Sequence, residues 1–302
     1  IALSHFYHFG PRRLGRLLAY FSVSEKAFKA SSSELEKAGI EAKLVREFKA
    51  WQVKFDLHKA LQQMSGYNIR LLPASDPAFP GRLLEINDPP ALLYYRGDIK
   101  ILDRSRIISV VGSRKTTPYG QRHCRKICQD LARIGFTIVS GLALGIDSCA
   151  HHATLEIGGV TAAVLATGVD DLSLSPRRNW GLAKNMVESG GALISEFPPG
   201  TQGLKHHFPQ RNRIIAGLSP ATLVVEAGQP SGALITAGLA LDYNREILAL
   251  PGPVDSLASR GTNTLLKNGA HLVRDTLDVL EVYKLSTQVS PAAKPRAQNR
   301  EE

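Results

Sequence analysis

The feature that most constrains this chain is a repeated alternation of short apolar runs with helical stretches after Arg106. The first run, residues 107–111, is almost wholly β-branched and ends at Gly112, as is typical of a strand covered on both faces. Pro118 then suits the first turn of a helix. Strands that alternate with helices predict an α/β fold with a doubly wound, mainly parallel sheet.

The same pattern continues along the chain in six further apolar runs. They are residues 136–139, 160–165, 192–194, 222–225, 246–250 and 270–273. In a doubly wound sheet the loops that follow the strands lie along one edge, and ligands bind there. We therefore expect any functional site to be built from the loops after these strands.

Composition divides the chain into four segments. Residues 1–70 predict a small all-α domain of short helices, either of the helix-hairpin-helix class or a plain scaffold. Residues 71–106, rich in proline, predict a connecting or lid segment with two short strands, 69–72 and 91–96. Residues 107–284 form the predicted α/β domain, and residues 285–302 a flexible C-terminal tail or linker.

The overall charge favours a polyanionic partner. The 302 residues carry a formal net charge of +10 and have a pI of about 9.6, although a basic surface can also serve solubility alone. Three cysteines provide neither a disulfide framework nor zinc spacing, which indicates reduced packing residues in a cytoplasmic protein. No apolar run approaches the roughly 18 residues of a membrane span, and no signal peptide is apparent.

The turn after the first strand is one candidate site. Gly112, Ser113 and Arg114 precede the helix that Pro118 begins, and helix N-termini favour anions. In a functional reading Gly112 lets the backbone approach a phosphate, which Arg114 binds. In the alternative reading the turn is a tight connection and its arginine is only solvated.

Further loops on the same edge are rich in small and polar residues. Residues 140–147, 167–170 and 195–200 each follow a predicted strand, so together they predict a shallow groove lined by backbone. Gly141 is a candidate for ligand contact. For Gly145, clearance between helix and strand is the preferred explanation.

The segment 205–219 is the richest in chemistry. Lys205, Arg211 and Arg213 bring three cations beside one aromatic ring, Phe208, at a helix start. Cations for phosphates and a ring for base stacking are typical of single-stranded nucleic-acid binding. Arg211 and Arg213 lie two positions apart and cannot share a helix face, so one of them is expected to pair with Glu226 or Glu196.

Catalytic and metal chemistry are not indicated by the residue spacing. The histidine pairs at 151–152 and 206–207 would diverge on a helix and have no convergent ligand partners. No nucleophile and base arrangement stands out, and Glu226 is the single carboxylate worth testing. We therefore expect no metal and no cofactor.

The ordered motifs resemble the DNA-processing protein family known as DprA or Smf. They are Val111-Gly-Ser-Arg114, Ser140-Gly-Leu-Ala-Leu-Gly-Ile-Asp147, Phe208-Pro-Gln-Arg-Asn-Arg-Ile-Ile-Ala-Gly-Leu-Ser219, Ser231-Gly-Ala-Leu-Ile-Thr-Ala237, Pro251-Gly252 and Gly261-Thr-Asn-Thr-Leu-Leu266. The match runs in order from Ile107 to about Val273. The N-terminal helices are similar to the SAM-like domain of that family.

The resemblance implies an extended Rossmann core and a non-enzymatic protein that binds incoming single-stranded DNA during natural transformation. It also implies a homodimer that loads the RecA recombinase and displaces single-strand-binding protein. Many members continue into a winged-helix domain. The family's DNA contacts fall on Arg114, Lys205 and Phe208, and the full predicted DNA-binding set is Gly112, Ser113, Arg114, Gly141, Lys205, Phe208, Arg211, Asn212 and Arg213.

Two other classes of function remain open from the residues. An enzyme similar to the nucleoside-monophosphate phosphoribohydrolases would use Glu226 on the same core, but the Pro-Gly-Gly-x-Gly-Thr run of those enzymes is missing. An interaction scaffold with incidental basic charge is the third possibility.

Overall fold

The computed structural model describes residues 1–285. The predicted tail therefore lies outside the described residues, apart from residue 285. Within the described part, nine strands form one sheet. The strands are β1 (Arg70–Pro73), β2 (Leu92–Gly97), β3 (Ile107–Val111), β4 (Thr137–Ser140), β5 (Thr161–Val164), β6 (Ala192–Ser195), β7 (Ala221–Val224), β8 (Glu246–Ala249) and β9 (His271–Leu272).

Helices connect these strands and cover both faces of the sheet. They are α1 (Ala2–His5), α2 (Pro11–Phe21), α3 (Ser24–Lys29), α4 (Ser32–Lys37), α5 (Ala42–Gln52), α6 (Leu57–Gly66), α7 (Gly81–Leu84), α8 (Pro118–Arg133), α9 (Ile146–Leu155), α10 (Trp180–Glu188), α11 (His207–Leu218), α12 (Gly232–Asp242), α13 (Arg260–Lys267) and α14 (Thr276–Val282). Two 3₁₀ helices span Ile99–Asp103 and Arg177–Asn179.

The strand order is β1-β2-β6-β5-β4-β3-β7-β8-β9. Every pairing from β6 to β9 is parallel, whereas β2 pairs with β6 and with β1 antiparallel. The chain moves outward from β3 to β6 and then returns to the other side of β3, so the strand order reverses there. The prediction of a Rossmann-like, doubly wound, mainly parallel sheet is confirmed, and the carboxyl end of β3 is its topological switch point.

The apolar run at residues 107–111 is buried on both faces, as predicted. Ile107 and Val111 pack in one cluster with residues of α7, α11 and α12. Ile108 and Val110 pack in another with residues of α8, α9 and α14. The side chain between them, Ser109, donates to the carbonyl oxygen of Ile215 at 2.6 Å, which satisfies a hydroxyl that burial would otherwise leave unpaired.

The segment predicted to connect or cover the α/β domain contributes to the sheet itself. β1 and β2, at either end of the proline-rich stretch, extend the sheet beyond β6. Pairing of Tyr95 with Ile194 and of Arg96 with Leu193 sets the register. β1 and β2 therefore lie at one edge of the sheet, whereas α7, between them in the sequence, packs against α11.

The N-terminal helices share a core with the sheet. Phe48 is fully buried and belongs to the same apolar cluster as Ala163 and Leu165 of the β5 region. A buried hydrogen bond of 2.6 Å also joins Ser4 Oγ to the Tyr94 hydroxyl. Within residues 1–285, none of the helices combines the length and the apolarity that crossing a bilayer would require.

Candidate nucleic-acid interface

A groove opens at the switch point of the sheet, at the carboxyl ends of β3, β4 and β7. Its volume is about 460 Å³. Its walls come from four places: the turn after β3, the loop after β4, the first turns of α11 and the start of α12. The lining residues include Gly112, Ser113, Arg114, Lys115, Asp147, Phe208, Arg211, Asn212, Ser231 and Ile235.

The turn after β3 is held by its own backbone and by β7. Ser113 N donates to the carbonyl oxygen of Glu226 at 2.8 Å. The Ser113 hydroxyl accepts from Lys115 N at 3.1 Å and donates to Lys115 O at 2.7 Å. These bonds fix the turn on both sides of Arg114, whose side chain is exposed at the groove.

Glu226 has a structural role in this turn. Its carboxylate is buried and accepts hydrogen bonds from Thr117 N at 3.0 Å and from the Thr117 hydroxyl. A Cβ at Gly120 would lie 2.1 Å from Glu226 Cδ, so only glycine leaves room for the carboxylate. The one carboxylate that the sequence singled out for testing thus anchors the start of α8.

Arg114 and Phe208 meet across the groove. The Arg114 Cζ lies 5.1 Å from the centroid of the Phe208 ring, within the range of a cation–π contact. Phe208 lies in the first turn of α11, which follows a different strand. The structure therefore brings together a cation and a ring that are far apart in the sequence.

Arg211 forms the floor of the groove. Its guanidinium is buried and donates to the carbonyl oxygens of Gly141, at 2.7 Å, and Val164. Burial lowers its pKa to about 10, with Asp147 opposing and Arg114 adding to the shift. Arg211 therefore remains charged at neutral pH, beneath the exposed Arg114.

Gly141 leaves space for the Arg211 guanidinium and accepts one of its hydrogen bonds. A Cβ at Gly141 would lie 2.6 Å from Arg211 Nη1. Its amide donates to the buried carboxylate of Asp147 at 3.1 Å. Burial raises the pKa of Asp147, and the charge of Arg211 opposes that rise. Both backbone groups of Gly141 are thus engaged inside the protein, which gives it a structural explanation.

Two other glycines allow the turns to approach each other. A Cβ at Gly112 would lie 2.6 Å from Ile146 Cγ1, and one at Gly145 would lie 2.3 Å from Ser113 O. Gly145 also has a φ of +89°, which side chains rarely adopt. The clearance expected for Gly145 is observed, and packing against α9 accounts for Gly112 as well.

Asn212 joins the two helices that wall the groove. It accepts from Arg211 Nε at 3.1 Å and donates to the carbonyl oxygen of Gly232 at 3.4 Å. Ser231 caps the same end of α12, since its hydroxyl accepts from Ala233 N at 3.2 Å. These contacts position the start of α12 opposite Arg114.

Arg213 lies outside the groove lining. Its side chain is 5% exposed and forms ion pairs with Glu196 at 2.5 Å and Asp88 at 3.4 Å. The expected pairing of one arginine with Glu196 is therefore observed. A guanidinium held by two carboxylates away from the groove does not fit direct DNA contact, so Arg213 is removed from the candidate contacts.

Lys205 is exposed in the turn ahead of α11, three residues before Phe208. It does not line the groove that Arg114 and Phe208 share. The predicted triad is thus brought together only in part: two members are in contact, and the third lies at the same helix end.

Several groove residues were missed by the reasoning from sequence. Lys115 and Ile235 line the groove, and Asn179 holds the loop after β4 by donating to Leu142 O at 2.8 Å. Lys115 could have been found from its position beside Arg114. Nothing in the local pattern links Asn179 to a loop that precedes it by more than thirty residues.

Metal ligation finds no support in the described residues. Within residues 1–285 no group of three or more His, Cys, Asp or Glu side chains is arranged to hold an ion. His151 is buried and hydrogen-bonded to the Thr161 hydroxyl at 2.7 Å, and His207 stacks on Phe197. These histidines have packing roles.

The fold and the groove define a class of protein: a doubly wound α/β protein whose switch-point groove carries exposed cations and an aromatic ring. Residues 70–284 match the family described as DNA recombination-mediator protein A. The chain belongs to this family, which confirms the resemblance carried by the sequence motifs.

Individual relatives agree with this assignment. The chain is 42% identical over 259 residues to protein Smf of Escherichia coli K12, a match that covers 86% of this chain and 68% of that protein. It is 40% identical over 228 residues to DNA processing protein DprA of Streptococcus pneumoniae R6, covering 76% of this chain and 77% of that protein.

Solved structures are also similar. The X-ray structure of DprA from Streptococcus pneumoniae aligns with a TM-score of 0.75 at 33% identity, over 89% of this chain and 92% of that one. DNA processing protein A from Helicobacter pylori, reported for its single-stranded DNA binding mode, aligns with a TM-score of 0.65 at 29% identity, over 72% of this chain and 96% of that one.

Proposed function

We propose that this protein binds single-stranded DNA in the groove at the switch point of its sheet. The observation that carries the proposal is the contact between Arg114 and Phe208, which presents a fixed cation and a ring face together at the groove. A phosphate pairs with the guanidinium while a base stacks on the ring or on the guanidinium plane. The similarity to the Helicobacter pylori protein supports the same conclusion.

Cations around the contact between Arg114 and Phe208 extend the proposed path of the DNA. Lys115 lines the groove beside Arg114, and Lys205 is exposed at the start of α11. Buried Arg211 adds a positive charge to the floor. The exposed Ile235 side chain in the opposite wall offers an apolar surface for a sugar or base. We infer that Arg114, Lys115 and Phe208 touch the DNA directly and that Lys205 adds electrostatic attraction.

The test is an affinity measurement with single-stranded and duplex oligonucleotides of the same sequence across a salt series. We expect tighter binding of the single strand, because the ring needs an unstacked base. We also expect the logarithm of the binding constant to fall linearly with the logarithm of salt, by about 0.7 per phosphate contacted. Equal affinity for both forms, or binding that does not change with salt, would contradict the proposal.

We further propose that the bound DNA is passed to the RecA recombinase during natural transformation, with displacement of single-strand-binding protein by a homodimer of this chain. Membership of the recombination-mediator family supports this role. The test is RecA ATP hydrolysis on DNA coated with single-strand-binding protein: this protein should shorten the lag. An unchanged lag would contradict RecA loading while leaving DNA binding intact, and sedimentation would test the dimer.

The proposal includes a non-enzymatic role and a cytoplasmic location, which suits a chain whose three cysteines are free in the structure. The rival, hydrolysis of nucleoside monophosphates, requires an available Glu226. In the structure both Glu226 oxygens accept hydrogen bonds from Thr117. Incubation with AMP should release no adenine, and release of adenine would overturn the non-enzymatic role.

A further inference from the structure

Three cysteines lie where α8 packs against α9, away from the groove residues. Cys124 and Cys128 are on α8, and Cys149 is on α9. Cys124 and Cys128 are buried, and Cys149 is partly exposed. The proposed DNA binding does not use this cluster.

Cys124 and Cys149 each contact the helix that carries the other. Cys124 Sγ lies 3.7 Å from the carbonyl oxygen of Ile146, three residues before Cys149 on α9. Cys149 Sγ lies 3.5 Å from the carbonyl oxygen of Gln121, three residues before Cys124 on α8. Each sulfur therefore reaches the opposite helix one turn ahead of the other cysteine, which places both thiols at the point where the helices cross.

The sulfurs of Cys124 and Cys149 differ in their exposure to solvent. Cys124 is fully buried, whereas Cys149 is half-buried and lines an open cavity of about 520 Å³ with Arg122, Arg125 and Lys126. The thiol of Cys124 lowers the pKa of Cys149 by hydrogen bonding, and the charge of Arg125 lowers it further. Hydrogen bonds to Cys128 and Cys149, together with burial, raise the pKa of Cys124.

Helix geometry selects Cys149 as the bonding partner of Cys124. Cys124 and Cys128 are four residues apart on α8, where Cβ atoms are about 5–6 Å apart. A disulfide needs Cβ atoms about 3.5–4.5 Å apart, so a bond within α8 would require the helix to distort. Side chains from two packed helices can approach more closely.

We propose that Cys149 is an oxidation site for peroxides and that Cys124 resolves it as an intramolecular disulfide. The Cys149 thiolate attacks a peroxide oxygen, the O–O bond breaks, and Cys149 becomes a sulfenic acid as one water leaves. The Cys124 sulfur then attacks the Cys149 sulfur and the hydroxyl leaves with a proton as a second water. In sum, two thiols and one hydrogen peroxide give one disulfide and two waters.

The basic cavity supports the first step. Arg122, Arg125 and Lys126 line the same open cavity as Cys149. Arg125 favours the Cys149 thiolate, and the charge of Glu156 opposes it. Arg125 is shared with Glu156, at 2.7 Å, so it is held beside the helix contact. The buried Cys124 thiol lies at the same crossing of α8 and α9, where the sulfenic acid would form.

The experiment treats the full chain with hydrogen peroxide, blocks free thiols, and maps disulfides by mass spectrometry without reduction. The expected product is a peptide pair joined through Cys124 and Cys149, which dithiothreitol reverses. Cys149→Ser should abolish that product. Cys128→Ser is the matched control, since it removes another buried cysteine of α8 and should retain the product.

Cys124→Ser provides a second readout. In this variant Cys149 should still oxidise but should remain a sulfenic acid that dimedone traps. Circular dichroism tests whether each variant is folded. If a variant does not fold, the disulfide map of the wild-type chain still tests the proposal. The proposal is overturned if Cys149 stays reduced while other residues oxidise, or if Cys149 forms disulfides only between two chains.

Discussion

At the scale of the residue, the three arginines of the predicted DNA-binding set have three different environments. Arg114 is exposed at the groove over an aromatic ring. Arg211 is buried beneath it, with backbone carbonyls as partners. Arg213 is buried in ion pairs with Glu196 and Asp88. Each charge is compensated by a different kind of partner, and only Arg114 is free to meet a ligand along the groove wall.

The contact of Arg114 with Phe208 predicts two distinguishable losses of affinity. Arg114→Ala should weaken single-stranded DNA binding and reduce the salt slope by about one phosphate contact. Phe208→Ala should cost about 1–3 kcal/mol of binding free energy with little change in slope, because stacking is not ionic. Fluorescence anisotropy across a salt series measures both.

The matched control for these two variants is Lys184→Ala. Lys184 lies over the ring of Trp180 at 5.9 Å on α10, so it is also a cation beside an aromatic ring, but it does not line the groove. Its removal should leave the affinity unchanged. An equal loss in Arg114→Ala and Lys184→Ala, with none in Phe208→Ala, would mean that net charge alone drives binding.

Glu226→Gln tests the structural role of the carboxylate. The amide oxygen can accept from Thr117 N, but the amide N–H₂ then faces the Thr117 hydroxyl, which must change from donor to acceptor. Two hydrogen bonds to a carboxylate are thus replaced by weaker neutral ones, which should reduce the free energy of unfolding by about 1–3 kcal/mol. Urea denaturation measures this change in the free energy of unfolding. Glu188→Gln, at an exposed ion pair on α10, should change little, and equal stability of both variants would refute the anchoring role.

At the scale of the element, the groove depends on two turns that approach each other closely. The turn after β3 and the start of α9 are joined by the bond from Ile146 N to Ser113 O, of 3.1 Å. Gly145 makes this approach possible. The apolar periodicity of the sequence predicted where both turns lie along the chain, but it does not predict the distance between them.

Gly145→Ala should separate these turns. The new Cβ would lie 2.3 Å from Ser113 O, and the residue would keep a φ of +89°. We expect both lower thermal stability and weaker DNA binding, because the Arg114 turn must shift. Gly190→Ala, at a φ of +80° with no atom within 4 Å, carries the strain of about 1–2 kcal/mol without the clash. If both variants bind DNA like the parent, the close approach is not needed.

Most strands were predictable because their apolar runs are short and bounded by turn residues. The predicted run at 222–225 is observed as β7 (Ala221–Val224), and that at 160–165 as β5. The two strands predicted at 69–72 and 91–96 are observed as β1 and β2, but their pairing was not predicted. These strands pair antiparallel with each other and with β6, and a pairing partner more than ninety residues away leaves no local signal.

At the scale of the whole molecule, one continuous core links the N-terminal helices to the sheet. Phe48 contacts the rings of Phe6, Phe9 and Trp51, and its cluster extends to residues of β5 and α10. The helical region therefore depends on the sheet for part of its apolar surface.

Phe48→Ala should test this dependence. Removal of a fully buried ring costs about 3–5 kcal/mol, and we expect one unfolding transition at a lower temperature than in the parent. Differential scanning calorimetry measures it. A second transition that moves alone, with the other unchanged, would show that the helices unfold independently.

The pH dependence of stability has one clear source in His151. Its Nδ1 donates to the Thr161 hydroxyl, which itself donates to Ile138 O, and its buried Nε2 has no acceptor among the described residues for a second proton. Burial lowers its pKa to about 3, whereas the unfolded value is about 6.5. Between these values the unfolded chain binds a proton that the folded protein does not, so stability falls as the pH falls below 6.5.

His151→Asn keeps a donor near the Nδ1 position but does not titrate. Below pH 6.5 the free energy of unfolding should fall less steeply in the variant, by up to about 1.4 kcal/mol per pH unit. Urea denaturation at several pH values measures this slope difference, which is independent of any fixed loss from the smaller side chain. Parallel slopes would mean that His151 is already protonated in the folded state.

The sequence by itself determined the α/β class, the edge of the sheet that carries the site, and the residue types available there. These follow from local periodicity and from the rule that loops after parallel strands share one edge. Which cations reach solvent was decided only by the tertiary structure. Arg211 is buried with its guanidinium bonded to the carbonyl oxygens of Gly141 and Val164. Arg213 is buried in ion pairs with Glu196 and Asp88. Burial depends on neighbours that only folding brings together, and no pattern within one segment encodes it.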